Sequence, residues 1–190
     1  MRTFIAIELP KNIREALGKL QEQLKKSEAD VKWVTPDNIH LTLKFLGEVD
    51  DDKIEKINKI IDSVCAENNT YKIYISSLGA FPKIDYLRVI WAGVEKGDSE
   101  TKKIAKELEE KIEKIGIPRE ARPFSSHITL GRTRSALNRE KLVKELKSMQ
   151  EAFEKEDLEF SVSKVTLFKS TLTPKGPAYE VLKEANLKTT

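Results

Sequence analysis

The chain has 190 residues, with 34 Lys and Arg against 31 Asp and Glu, a formal net charge of +3 and a pI near 8.8. Charged residues make up 34% and apolar residues 39%, which suits a water-soluble chain able to bury one core, as one domain or two small lobes, while so mild a charge argues against a dedicated nucleic-acid coating protein. No apolar run approaches the roughly 20 residues that cross a bilayer, the start Met1-Arg2-Thr3-Phe4-Ile5 is too strand-like for a signal peptide, and the single Cys65 excludes an intramolecular disulfide framework, so a cytoplasmic protein is expected.

Residues 2–9 read as a strand. Pro10 opens a helix to about Lys26, with Ile13, Ala16, Leu17, Leu20 and Leu24 on one stripe. Val31–Val34 is a short strand and Thr35-Pro36-Asp37-Asn38 a turn. A strand from His40 to Gly47 follows. Asp50 then caps a helix carrying Ile54, Ile57, Ile61 and Val64. Residues 71–77 alternate as a strand, Phe81–Asp85 is a connection, and residues 86–94 form a strand. Asp98 or Ser99 caps a helix with Ile104, Leu108, Ile112 and Ile115, closed by Gly116 and Pro118. An arginine-bearing stretch leads to a second histidine strand, and Asn138 caps a helix with Leu142, Val143, Leu146 and Met149. Residues 157–169 and 177–184 read as closing strands, with Gly176-Pro177 as the turn between them.

The only two histidines stand in one frame: His40-Leu41-Thr42-Leu43 and His127-Ile128-Thr129-Leu130. Residues i and i+2 of a strand share a face, about 7 Å apart at ~3.4 Å rise per residue. Each strand therefore presents an imidazole beside a hydroxyl, over an apolar underside. The motifs are 87 residues apart, and the strands at 4–9 and 89–94 are offset by a similar amount. This suggests an old duplication: two lobes related by a pseudo-twofold axis, forming one compact unit, with two equivalent strands brought together at a central groove. Two imidazoles facing each other suit acid–base catalysis, because their ordinary pKa of about 6.5 lets one be charged while the other is neutral. Metal chemistry is disfavoured: two histidines and a helical Cys65 make no ligand set with metal spacing.

Arg119, Arg122, Arg132, Arg134 and Arg139 surround the second motif, with Glu120 the only acid among them. Arginine in a lysine-rich chain points to bidentate phosphate contacts. By strict alternation Lys44 shares the face of His40 and Thr42. Arg132 has the opposite parity to His127 and reaches the groove only if the strand ends or bulges at Gly131. Trp33, Phe45, Trp91 and Tyr179 could stack a base, but core packing explains most of them, and none is assigned.

The chain resembles the 2H phosphoesterase superfamily and, within it, the RNA 2′,3′-cyclic phosphodiesterases, also called bacterial and archaeal 2′-5′ RNA ligases. The resemblance rests on Arg2-Thr3-Phe4-Ile5-Ala6-Ile7, on Trp33 ahead of His40-Leu41-Thr42-Leu43-Lys44-Phe45-Leu46-Gly47, and on Gly79-Ala80-Phe81-Pro82. It continues through Val89–Val94, Arg122-Pro123-Phe124-Ser125-Ser126-His127-Ile128-Thr129-Leu130-Gly131-Arg132, Lys169–Leu172 and Gly176–Tyr179. Ser126 departs from it, where relatives often carry proline. The resemblance implies an α+β fold, one domain over residues 1–190 of two interleaved lobes, with antiparallel sheets lining a central groove and helices outside. It implies hydrolysis of RNA or nucleoside 2′,3′-cyclic phosphate ends, tRNA fragments among them, to a 2′-phosphate. It also implies reversible 2′-5′ ligation and no metal or nucleotide cofactor. It suggests His40 as proton donor, His127 as acceptor and Arg132 as a phosphate contact. Thr42 and Thr129 can donate hydrogen bonds to the non-bridging oxygens, and Lys44 is a further candidate for substrate binding. A monomer with no membrane partner is expected. The alternatives are another 2H activity (opening a cyclic ADP-ribose phosphate, or trimming RNA ends), a non-catalytic nucleotide- or RNA-binding module and, last, a metal-dependent hydrolase.

Overall fold

The computed structural model of the chain describes residues 1–189. Its two antiparallel sheets are assembled from both halves of the sequence. The first sheet has the order β3-β1-β8-β9, with β1 Arg2–Glu8, β3 His40–Glu48, β8 Lys164–Thr173 and β9 Gly176–Asn186. The second has the order β2-β6-β5-β4-β7, with β2 Val31–Trp33, β4 Tyr71–Lys83, β5 Tyr86–Val94, β6 His127–Thr133 and β7 Leu158–Val162. Strand β4, from the first half, lies in the second sheet beside β5, while β8 and β9, from the second half, lie in the first sheet beside β1. The lobes are therefore interleaved by strand exchange.

The helices are exchanged in the same way. Helix α2 (Asp51–Glu67) covers β8 and β9, and α3 (Asp98–Glu113) packs on α2 and β3. Helix α4 (Arg139–Glu154) covers β4 and β5, with α1 (Lys11–Lys25) beside it. Between helices and sheets lies one core. It holds Ile5, Ile7, Leu41 and Leu167 from the first sheet, Ile90, Ile128 and Leu130 from the second, and the helical stripe residues Leu17, Ile57, Leu108 and Leu146. At about 25 cal/mol per Å² of apolar surface, each such residue contributes roughly 1.5–3 kcal/mol. The opposite face of the first sheet carries a separate small cluster of Phe4, Ala6 and Phe168 with Tyr179 against it. The two sheets approach each other along β3 and β6, the histidine strands.

Three predicted boundaries differ. The alternating run at 157–169 is two strands: it breaks at Ser163, β7 joining the second sheet and β8 the first. Phe81-Pro82-Lys83 is not a connection but the end of β4, pairing with β5 up to Lys83 opposite Tyr86. The last hairpin turns ahead of Gly176, which pairs with Thr173 as the first residue of β9 and takes the left-handed φ of +113° that glycine tolerates. Nor do Asp50 and Asn138 cap with their side chains; the Asn138 amide instead donates to the Glu28 carbonyl.

Candidate active site

Both histidine strands carry the same defect. In β3, Ala6 of β1 faces Thr42 and Ile5 faces Lys44, leaving Leu43 as an extra residue. In β6, Trp91 of β5 faces Thr129 and Ile90 faces Gly131, leaving Leu130 extra. A bulge of one residue reverses the parity of everything beyond it. The side chain after the bulge that turns to the histidine face is Phe45 in one repeat and Arg132 in the other.

This corrects two readings of the sequence. Lys44 does not share the face of His40 and Thr42; it turns to the other side and is fully buried. Its Nζ donates to Glu109 Oε2 at 2.7 Å and to the Pro118 carbonyl at 3.3 Å. Glu109 Oε1 accepts from the Glu120 N–H at 2.7 Å, and Glu120 Oε1 accepts from the Phe45 N–H at 2.9 Å. Lys44 thus ties β3 to the loop that leads into β6. Arg132 does share the face of His127 and Thr129, through a bulge at Leu130, one residue ahead of the glycine. The Leu130 carbonyl is held by the Val34 N–H at 2.9 Å and by Nε2 of the buried Gln21 at 2.9 Å.

The two imidazoles are clamped alike. His40 Nδ1 lies 2.7 Å from the Asn38 carbonyl, and His127 Nδ1 lies 2.8 Å from the Ser125 carbonyl. A carbonyl oxygen can only accept, so Nδ1 carries a proton in both rings and Nε2 is the nitrogen free for chemistry. His40 Nε2 is 2.8 Å from Thr42 Oγ1. Aromatic walls hold the rings: Phe4 stacks on His40 at 4.9 Å, Tyr179 meets it edge-on at 5.5 Å, and Phe81 meets His127 edge-on at 5.1 Å. Both rings are partly exposed, on the sheet faces opposite the core. Burial lowers the pKa of each below the usual 6.5, against the raising effect of its carbonyl partner, and the Arg132 guanidinium lowers His127 further.

The floor beside His127 is shaped by Trp91, whose indole lies across Gly79 and Gly93. Trp33 packs on Gly131 and against the core, whereas Phe45 is 55% exposed on the groove side. A cavity of about 660 Å³ opens at the His40 end, walled by Asn38, Phe168, Tyr179, Lys11 and Arg14; His127 is not among its walls. Of the arginines around the second motif, Arg119 pairs with Glu113 and Arg134 with Asp30. Among the described residues, Arg122, Arg132 and Arg139 make no ion pair, and no three His, Cys, Asp or Glu side chains gather as metal ligands. Cys65 is buried in α2. No helix of the described residues is long and apolar enough to cross a membrane.

Two strand-exchanged α+β lobes, each offering one His-x-Thr strand with its Nε2 turned away from the core, define a duplicated two-histidine protein. The family model described as LigT like Phosphoesterase matches twice, over residues 7–91 and 94–179, one match to each half. An RNA 2′,3′-cyclic phosphodiesterase of Methanocaldococcus jannaschii is 40% identical over 97% of this chain and 99% of its own. One from Methanothermobacter thermautotrophicus is 34% identical over 94% and 95%. Among solved structures, TT0787 of Thermus thermophilus superposes with a TM-score of 0.81 at 28% identity, covering 98% of both chains. E. coli LigT complexed with 3′-AMP superposes with a TM-score of 0.79 at 26% identity, over 98% and 97%. The chain belongs to the LigT-like phosphoesterase family.

Proposed function

We propose that the protein hydrolyses 2′,3′-cyclic phosphate ends of RNA or nucleosides to 2′-phosphates, with His40 and His127 as the acid–base pair. The observation that carries this is the duplicated clamp: in both repeats a backbone carbonyl fixes Nδ1–H and leaves Nε2 on the open face. The activity borne by the named relatives, and the 3′-AMP held by E. coli LigT, support the same substrate class.

The proposed reaction takes its proton roles from the family resemblance, and the clamped rings support it. Water attacks phosphorus in line with the 3′ oxygen, and neutral His127 Nε2 takes the water's proton. The P–O3′ bond breaks as protonated His40 gives its Nε2 proton to the departing 3′ oxygen, leaving a 2′-phosphate and a 3′-hydroxyl. Each transfer is worth roughly 10²–10⁴-fold. Thr42 and Thr129 donate to the non-bridging oxygens, and Arg132 balances their charge. With a 5′-hydroxyl in place of water and the same proton roles, the same groups form a 2′-5′ linkage; the roles exchange when the 3′-hydroxyl attacks that linkage and the 5′ oxygen departs. Each chain carries both histidines, so a monomer suffices. The lone buried thiol suits the cytoplasm, where RNA ends, tRNA fragments included, are the substrate pool.

The test is product identity. Phosphorus NMR of an RNA ending in a 2′,3′-cyclic phosphate should show a 2′-phosphate monoester, and His40→Asn and His127→Asn should each cost about 10²–10⁴-fold in kcat. A 3′-phosphate product, or variants that keep full turnover, would overturn the assignment.

A further inference from the structure

We propose that Arg88 and Arg139, gathered around the ring of Tyr86 at the tip of the β4–β5 hairpin, form a second phosphate site that holds the RNA strand upstream of its cyclic end. The proposal rests on the RNA-end reading above and extends it beyond the reacting phosphate.

The Arg139 guanidinium carbon lies 4.8 Å from the Tyr86 ring centroid, and that of Arg88 lies 5.5 Å away. Arg88 Nη2 also donates to the Tyr86 hydroxyl at 3.5 Å. Two like charges around one ring repel unless something neutralises them. Elsewhere in the chain Arg14, Arg119 and Arg134 each meet a carboxylate, as do lysines such as Lys72 and Lys164. Among the described residues, Arg88 and Arg139 meet none. The nearest acid on the hairpin, Asp85, is already engaged by Lys147, and Glu140, which lines the same small cavity, pairs with neither guanidinium. Arg139 Nε is buried without a partner. The two arginines lower the pKa of the Tyr86 phenol by hydrogen bonding and by charge, so the local field favours an anion.

The ring supplies what a carboxylate would otherwise supply. Its negative face holds both guanidiniums in place through cation–π contact without cancelling their charge, leaving planar donors for phosphate oxygens. A cavity of about 430 Å³ beside Tyr86 and Arg139, lined also by Ala136 and Val143 and by the acids Asp85 and Glu140, gives room for the strand along its cationic rim. The placement relative to the active site is direct. Val89 of β5 faces Arg132 across the ladder, and Tyr86 is three residues nearer the tip, about 10 Å at ~3.3 Å per residue. That is within the span of a short single strand leaving the reacting end. Arg132, Arg88 and Arg139 then make one cationic track along the ends of β6 and β5.

The test compares the parent with an Arg88→Gln/Arg139→Gln variant, each confirmed folded by thermal melt. Binding of a labelled oligoribonucleotide ending in an unreactive 3′-phosphate is followed by anisotropy across a salt series. Turnover of a nucleoside 2′,3′-cyclic monophosphate is measured in parallel. With about 0.7 counterion released per single-strand phosphate contact, losing two contacts should lower the log–log salt slope by about 1.4. Oligonucleotide affinity should fall about tenfold while mononucleotide kcat/KM holds, and an Arg88→Lys/Arg139→Lys pair should restore the slope. An unchanged slope, or mononucleotide turnover falling in step with oligonucleotide binding, overturns the proposal. Because binding needs no turnover, the two readings can fail separately. Arginine-dependent binding without hydrolysis would sink the catalytic assignment alone, and hydrolysis with arginine-independent binding would sink this site alone.

Discussion

Gly79→Ala probes how the sheet floor sets the aim of His127. A Cβ at Gly79 would overlap Cζ2 and Cη2 of Trp91 and come within 2.9 Å of Cε2. The backbone cannot yield easily in mid-sheet, so the half-buried indole must lift. Overpacking of this kind costs typically 1–3 kcal/mol. Taking about 2 kcal/mol, and 2–4 °C per kcal/mol for a domain of this size, the melting temperature should drop by roughly 4–8 °C. The indole packs against Phe81 at 5.3 Å, and Phe81 braces His127 edge-on at 5.1 Å. A lifted indole therefore displaces the brace, and a misplacement of about 1 Å at the reacting centre can cost about 10²-fold in rate. Calorimetry and turnover of a 2′,3′-cyclic mononucleotide should register both losses. Trp91→Leu makes room for the new methyl, so adding Gly79→Ala to it should be nearly free, a coupling of about 0.5–3 kcal/mol. If Gly79→Ala melts with the parent, or the two substitutions simply add, the indole does not transmit strain to His127.

The pH dependence follows from the lowered imidazoles. Burial disfavours protonated His40 and His127 in the folded chain, so the unfolded chain binds their protons more tightly. Stability is then full above about pH 6.5 and falls as pH drops through the native values, which urea melts across pH would show. The kcat/KM profile should be a bell centred below pH 6.5, and the kcat profile should lie to its alkaline side, because bound phosphate favours the imidazolium. Arg132→Met should move the acidic limb to higher pH, since Arg132 lowers His127, the proposed base, which would act in its neutral form; an unmoved limb would place the guanidinium's influence elsewhere. Lys44→Ala strands the Glu109 carboxylate, itself 20% exposed, and should destabilise by about 3 kcal/mol, the low end for a broken buried pair, with KM for the cyclic mononucleotide unchanged; a raised KM at unaltered stability would return Lys44 to the substrate. Cys65 is 1% exposed with its pKa pushed up to about 11, chiefly by burial, so a thiol reagent should label it only after unfolding.

The histidine frames, the repeat and the sheet faces were legible because strand periodicity states them directly. Leu41 and Ile128 go to the core, and His40, Thr42, His127 and Thr129 face away from it, as alternation requires. The bulges were not legible. A bulge needs no special residue when its extra side chain is an apolar one going to the core, and Leu43 and Leu130 look like ordinary strand leucines. That one hidden step misplaced Lys44 and left Arg132 conditional on Gly131. The break at Ser163 does leave a trace: the core positions pass from even (Leu158, Phe160, Val162) to odd (Val165, Leu167) across it, but buried Thr166 and Phe168 on the opposite face of β8 blur the shift, and the strands part to different sheets. Contacts far apart in the chain left no local signal either. Glu109 waits 65 positions from Lys44, and Gln21 reaches the Leu130 carbonyl from 109 positions away. Tyr86 and Arg88 carry no motif, and only the hairpin brings them to Arg139.

The traded strands make this enzyme all-or-nothing during its own synthesis. A nascent chain that has produced His40 still lacks the partner for the free edge of β1, because β8 begins only at Lys164. Truncated products should therefore be inert and quickly degraded, and a gene split between the repeats would yield fragments that must find each other before either imidazole has its proper setting.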